Sequence, residues 1–320
     1  MAHRSGVMGG WVALMIVWAP GSAAACDDPP KHYPAGCRLA LAEFTPFVAV
    51  AEDKGFFKAN RITVIVEEMS GMEVSRRLAA SSDTVGYLSG AQAVRALALG
   101  VKLKIIAAPL NSVRLDLWVR AGGGAGKFTG GVVALGPPGS GSNLAFADTL
   151  RAAGVNPAGV KTSLAPVTQR VDDLARGAID AALLPSHLES VLAKRGLVRV
   201  TVGKSITLAQ YVIAVPEPLF RDDRNDEFLV GLLKSVGQSI EFAKANREPT
   251  TVIIRKRGIT GEAIEEVYAR YASAALTTDV GAGVRAVIED MIVADPKDKP
   301  ALQGIKVEDV VTPKFVQRTR

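Results

Sequence analysis

Histidine and cysteine are nearly missing from this chain of 320 residues, which carries three of the former and two of the latter. His3 lies in the first segment, so only His32 and His187 remain beyond it, and no Cys/His spacing suited to zinc exists. A Ser-His-Asp hydrolase would have to use His187 as its base, and Gly139-Ser140-Gly141 is too short to be a nucleophile elbow. Aromatic residues make up only 6%. The basic residues are scattered, with Lys102, Lys104 and the Arg255-Lys256-Arg257 run as the densest spots, so no aromatic-studded basic groove for nucleic acid is visible. Gly136-Pro137-Pro138-Gly139-Ser140-Gly141 lacks the Gly-Lys-Ser/Thr ending of a P-loop, which argues against nucleotide binding. Beyond residue 25 no apolar run approaches the ~20 residues a membrane-spanning helix needs. No metal and no cofactor is expected.

What the chain does have is 48% apolar residues against 22% charged, with 31 glycines spread throughout. That composition excludes disordered, collagen-like and coiled-coil proteins, and the length suits two domains. The formal charge of +6 favours small anions as ligands without specifying one. Residues 1–25 read as a signal peptide: His3 and Arg4, an apolar run from Val7 to Ala19, a breaker at Pro20-Gly21, then Ser22-Ala23-Ala24-Ala25. The apolar run is too short for a comfortable membrane anchor. Cys26 and Cys37 follow in a Pro-rich segment, 26–37. In an exported chain this spacing suits a disulfide; a lipidated Cys26, after Ala24-Ala25, and two free thiols are the alternatives.

Onward, short apolar runs alternate with helical patterns, the layout of a parallel α/β sheet. The expected strands are Arg38–Ala42, Ile62–Val66, Ile105–Ala108, Leu115–Val119, Val132–Leu135, Ile179–Leu184, Val198–Val202 and Tyr211–Val215. Helical patterns cover Pro46–Phe57, Met72–Ala80, Gln92–Leu99, Ser142–Ala153, Val167–Arg176 and His187–Lys194. After Pro216 the chain turns mostly helical, with Phe228, Leu232, Val236, Ile240 and Ala243 forming one apolar stripe. Two crossings between lobes are expected, near Gly122-Gly123-Gly124 and near Pro216/Pro218. They divide the chain into a first lobe over 38–118 and 213–320 and an inserted second lobe over 119–212, a two-lobe clamshell.

The run Thr45-Pro46-Phe47-Val48-Ala49-Val50-Ala51-Glu52-Asp53-Lys54-Gly55-Phe56-Phe57-Lys58, followed by Ile62-Thr63-Val64, resembles the opening of a known family. These are the ABC-transporter substrate-binding proteins of the nitrate/sulfonate/taurine and thiamine-precursor type. The resemblance continues through Ser70-Gly71, Val85-Gly86-Tyr87-Leu88-Ser89-Gly90, Gly100-Val101-Lys102, Gly136–Ser142 and Asp180-Ala181-Ala182, and spans roughly 38–312. Thr84 departs from the family's usual Asp, and Leu183-Leu184-Pro185-Ser186-His187 lacks its usual Glu-Pro pair. The resemblance implies a type II periplasmic-binding-protein clamshell that is monomeric, binds a small molecule, hands it to an inner-membrane ABC permease and performs no catalysis. Proteins similar to the family also include pyrimidine-precursor synthases and a menaquinone-pathway enzyme, so an enzyme on the same fold is the alternative. The export segment disfavours it. A sensor-input receptor is a further non-enzyme reading.

In such sheets ligands sit beyond the carboxyl ends of the strands, where loops enter helices. The candidate ligand-binding residues are therefore Thr45, Ser70, Gly71, Ser89, Gly90, Ser140, Gly141, Ser142, Ser186 and His187, with Arg114 at the rim as an anion partner. Plain N-capping competes for each Ser or Thr, and a surface ion pair for Arg114. The first amides of the helix after Gly141 are expected to face the cleft and hold an anion. Phe44, Phe47, Met69 and Met72 are candidates for an apolar wall, with core packing the competing reading for Phe47.

Overall fold

The computed structural model describes residues 38–41, 45–123, 130–277 and 279–319. The expected signal peptide, Cys26, Cys37 and Phe44 lie outside them. The described chain opens with β1 (Arg38–Leu41), α1 (Pro46–Asp53), α2 (Phe56–Ala59), β2 (Ile65–Glu68), α3 (Gly71–Ala80), β3 (Thr84–Ser89) and α4 (Gly90–Ala98). The expected single helix Pro46–Phe57 is two, because Gly55 sits at φ +69, a left-handed conformation that ends α1 and restarts the chain as α2. The expected strand Ile62–Val66 begins three residues later. Ile62 is instead buried in the core, against the helix that carries Gly231.

The strand β4 (Leu103–Arg120) then runs for 18 residues, replacing two expected strands. Pro109 within it falls where the pairing is irregular, so its missing N–H costs no ladder bond. After it come β5 (Val132–Leu135), α5 (Ser142–Ala152), β6 (Lys161–Leu164), α6 (Val167–Arg176), β7 (Ala181–Pro185), α7 (Glu189–Lys194), β8 (Leu197–Thr201) and β9 (Ser205–Pro216). The remainder is helical: α8 (Glu217–Arg221), α9 (Asp226–Ala245), α10 (Arg247–Lys256), α11 (Glu262–Ala272), α12 (Val280–Ala294) and three short helices that follow. No described helix is long and apolar enough to cross a membrane.

Pairing resolves two sheets that share β4. In the first the order is β2-β1-β3-β9-β4, with β1 parallel to both β2 and β3, and β9 antiparallel to β3 and β4. In the second, β6, β5 and β7 run parallel, and the far half of β4 pairs antiparallel with β7 and β8. The transfer is sharp: Arg114 still pairs with Ser205 of β9, whereas Leu115 pairs with Pro185 of β7. β4 therefore leaves the first sheet at 114/115 and β9 enters it at 205, rather than at the expected 119 and 212. β4 does not break where it crosses, so no Gly or Pro marks that point, whereas the return is interrupted between Thr201, the end of β8, and Ser205, the start of β9, with Gly203 in the link; the Gly122 turn lies wholly in the second half.

Three large apolar clusters, and a small fourth of Ala49, Val50 and Ile253, hold this together. Phe47, Leu41, Tyr87, Leu229, Leu233 and Phe315 pack α1 and α9 on one face of the first sheet. Leu174, Leu184, Leu188 and Leu192 pack α6 and α7 on the second. A third cluster is continuous from Val74 and Leu78 on α3, through Leu117, Leu208 and Val284, to Leu150 on α5. The helix α12 thus packs against β9, β4, α4 and α5, bridging the two sheets.

Candidate functional site

Between the sheets, where β4 and β9 cross, lies a cavity of about 410 Å³. Its first wall is Ser89 and Ala91 from the β3–α4 junction with Gln210 and Tyr211 of β9. The second wall is Pro137–Ser140, Pro166–Thr168, Arg170, Pro185 and His187, and α11 closes one side with Glu266 and Arg270. Of the residues expected from sequence, the cavity thus brings together Ser89, Ser140 and His187. A separate groove of about 460 Å³ lies on the outer side of α12, around Ile292 and Leu302, away from the crossing strands.

Most of the other expected residues are engaged locally. Ser70 is exposed and caps α3 by accepting from the Glu73 amide at 3.2 Å; Ser89 does the same for the Gln92 amide, and the Gln92 side chain returns the bond to complete a capping box. Gly71 is filled against by the Gln92 side chain, and Gly90 sits directly under the Ala209 carbonyl, so both glycines serve close packing. Arg114 pairs with the buried Asp116 at 3.3 Å; Asp116 also accepts from the Gly203 amide at 3.0 Å, tying β4 to the approach of β9. Thr45 is buried at the start of α1 with its hydroxyl unpartnered, and Ser186 opens a short turn beside Pro185 without lining the cavity. Phe47 is core, edge-on to Tyr87 and Tyr271, while Met72 is 64% exposed. Neither builds an apolar wall.

The Gly139–Asn143 segment departs most from expectation. Gly141 has φ +81 and packs against Leu208 and Val113 across the crossing strands. The Ser142 hydroxyl is fully buried, accepting from the Gly136 amide at 2.9 Å and donating to the Gly136 carbonyl at 3.2 Å. The first amides of α5 already have an acceptor within the chain. The buried carboxylate of Asp290, on α12, accepts from the amides of Gly139 (2.8 Å), Asn143 (2.9 Å) and Leu144 (3.1 Å). The anion at this helix start is supplied by the protein itself.

Sequence reasoning missed Arg170. It stands on the apolar stripe of α6 with Val171 and Leu174 and is only 2% exposed. Its Nη1 donates to the Leu183 carbonyl, its Nε has no partner, and no described carboxylate pairs with it. Burial pushes its pKa down to about 10, so it still carries its charge at neutral pH. A signal was present: an arginine where the 3.6-residue pattern calls for an apolar side chain. The other charges in the cavity are matched, since Arg270 Nη2 donates to Glu266 at 2.8 Å. Burial, and secondarily the charge of Arg270, pushes the His187 pKa down to about 3, which keeps the imidazole neutral. Among the described residues no group of three metal-ligating side chains occurs.

Two sheets joined at the crossing of β4, around a cleft lined from both sides, define a two-lobed α/β fold. Residues 42–248 match the family described as NMT1/THI5 like, and the chain belongs to that family. Solved structures share its fold. The periplasmic aliphatic sulphonate-binding protein SsuA from Escherichia coli superposes with a TM-score of 0.67 at 15% identity, over 88% of this chain and 99% of that one. The periplasmic nitrate-binding protein NrtA from Synechocystis PCC 6803 gives 0.59 at 14%, over 90% and 89%. A mutant of DszB in complex with biphenyl-2-sulfinic acid gives 0.60 at 12%, over 88% and 98%. A comparison with curated proteins gives no match.

Proposed function

We propose that this protein is the periplasmic solute-binding component of an ABC importer, which captures a small organic or inorganic anion in the cleft and delivers it to a membrane permease. One observation carries the reading: the cavity at the crossing of β4 and β9 takes its walls from both sheets and contains a buried, charged arginine that lacks a counter-ion. A ligand touching both walls stabilises the closed arrangement, and the two crossing strands absorb the rotation on opening. Export follows from the signal-peptide pattern of residues 1–25, with Cys26 and Cys37 joined in a disulfide and the mature chain monomeric. Similarity to SsuA and NrtA supports the transport assignment; similarity to DszB, solved with a sulfinic acid, favours as a second reading an enzyme on the same fold. Against the second, the one histidine of the cavity is held neutral down to a pKa of about 3, and no described nucleophile pairs with it.

Calorimetric titration followed by chromatography of the released ligand separates the two. The receptor binds one ligand per chain and returns it unchanged. Conversion of the ligand by contaminant-free protein refutes this reading and establishes the enzyme.

A further inference from the structure

Two long helices of the second sheet start at the cleft, and their N-termini differ. That of α5 is filled by Asp290. That of α6, ten residues long, begins after Pro166 with no side chain capping it, and its first three amides, Val167 to Gln169, have no acceptor among the described residues. Pro166, Val167 and Thr168 line the cavity, so these amides open onto it. One residue further on stands Arg170, buried, charged, and with an Nε that finds no acceptor. A helix start and a buried guanidinium at one spot make a site for negative charge. Burying such a cation without a partner is costly, and the missing partner is an anion.

Charge and size then limit what fits. The Glu266–Arg270 pair cancels, which leaves one unmatched positive charge in the cavity. A volume of about 410 Å³ accommodates roughly a dozen groups the size of a water molecule at ~30 Å³ each, several times a bare inorganic anion. Away from α6 the walls include an apolar stretch of Val113, Leu115, Pro137, Pro138 and Pro185, beside the polar side chains of Ser89 and Gln210.

We propose that the ligand is an organic monoanion, a carboxylate or sulfonate with an apolar body, whose head is held by the α6 N-terminus and Arg170 and whose body lies against the proline-lined walls. This rests on the receptor reading above and narrows it. Arg170, which lines the cavity, gives its guanidinium charge to the head while Nη1 stays on the Leu183 carbonyl.

Titration calorimetry with benzoate, benzenesulfonate, sodium nitrate and neutral benzyl alcohol, on the wild type and two variants, tests the proposal. Arg170→Met keeps the buried stem and removes the charge; Val167→Pro deletes one amide at a first-turn position where proline fits, since Pro166 is already extended at ψ 157°. At least one aromatic anion is expected to bind more tightly than nitrate and benzyl alcohol. Arg170→Met is expected to weaken it at least 100-fold and Val167→Pro about five- to tenfold, with both variants folded by circular dichroism. Val167→Pro leaves the Leu183 bond intact, so its loss of affinity is not a folding effect. Nitrate binding as tightly as either aromatic anion overturns the ligand class and leaves the receptor reading standing. Unchanged affinity in both folded variants overturns the assigned anchor. Failure of all four probes to bind overturns the inference, and the receptor reading is then decided by the turnover test above.

Discussion

Replacing Asp290 with alanine should destabilise the protein without removing any proposed ligand contact. The carboxylate is fully buried and accepts from three backbone amides, those of Gly139, Asn143 and Leu144, and from the Asn143 side chain at 3.3 Å. Losing an ordinary helix cap costs about 1 kcal/mol, and hydrogen bonds to a charged group contribute ~1.5–3 kcal/mol each. The three amides share one acceptor group and their contributions do not add fully, so a loss of about 3–4 kcal/mol is expected for Asp290→Ala. At ~2–4 °C per kcal/mol for a chain of this size, Tm should fall by roughly 6–16 °C. Asp290→Asn retains one acceptor oxygen and should lose about half as much. Scanning calorimetry of the two variants beside the wild type reads this directly. A fall below about 2 °C for Asp290→Ala would show that the amides find water or another acceptor, and that α12 does not brace the second sheet through this carboxylate.

Further expectations concern residues whose roles the structure redistributes. Ser142→Ala should lower stability by about 1–2 kcal/mol, because both Gly136 backbone groups lose their partner, while ligand affinity stays within twofold; a tenfold loss of affinity in a fully stable variant would return Ser142 to the binding site. His187 titrates near 6.5 unfolded and at about 3 folded, so the unfolded chain binds more protons between these values. Its contribution is complete above pH 6.5 and is lost as pH falls towards 3, by up to about 2 kcal/mol at pH 5. His187→Gln should therefore show a smaller drop in stability from pH 7 to pH 5 than the wild type, measured by denaturant unfolding at both values; parallel pH curves would refute the burial argument.

Much of this architecture is legible in the sequence because it is written in local patterns. Val132–Leu135 and Val167–Arg176 occur with the expected bounds, since a four-residue apolar run and a 3.6-residue stripe ended by Gly177 leave little choice. The continuity of β4 was hidden because Pro109 and polar Asn111-Ser112 interrupt its apolar pattern, while long-range pairing with β9 overrides them. The candidate site was less legible for the same reason. Loop chemistry singled out Ser70 and Ser142, but hydroxyls at helix starts serve capping and ligands equally well. Only the tertiary arrangement reveals that Asp290, 147 residues beyond Asn143 in sequence, takes the α5 amides. Arg170 lay in plain view on an apolar stripe. Its meaning required knowing that no carboxylate reaches it.

Small-angle scattering with and without saturating ligand tests the central claim, that a cleft spanned by two crossing strands closes on its solute. The radius of gyration should fall when the titrated anion is added and stay constant in the Arg170→Met variant at the same concentration. An identical scattering profile for the wild type in both conditions, with binding verified by calorimetry on the same sample, would contradict it.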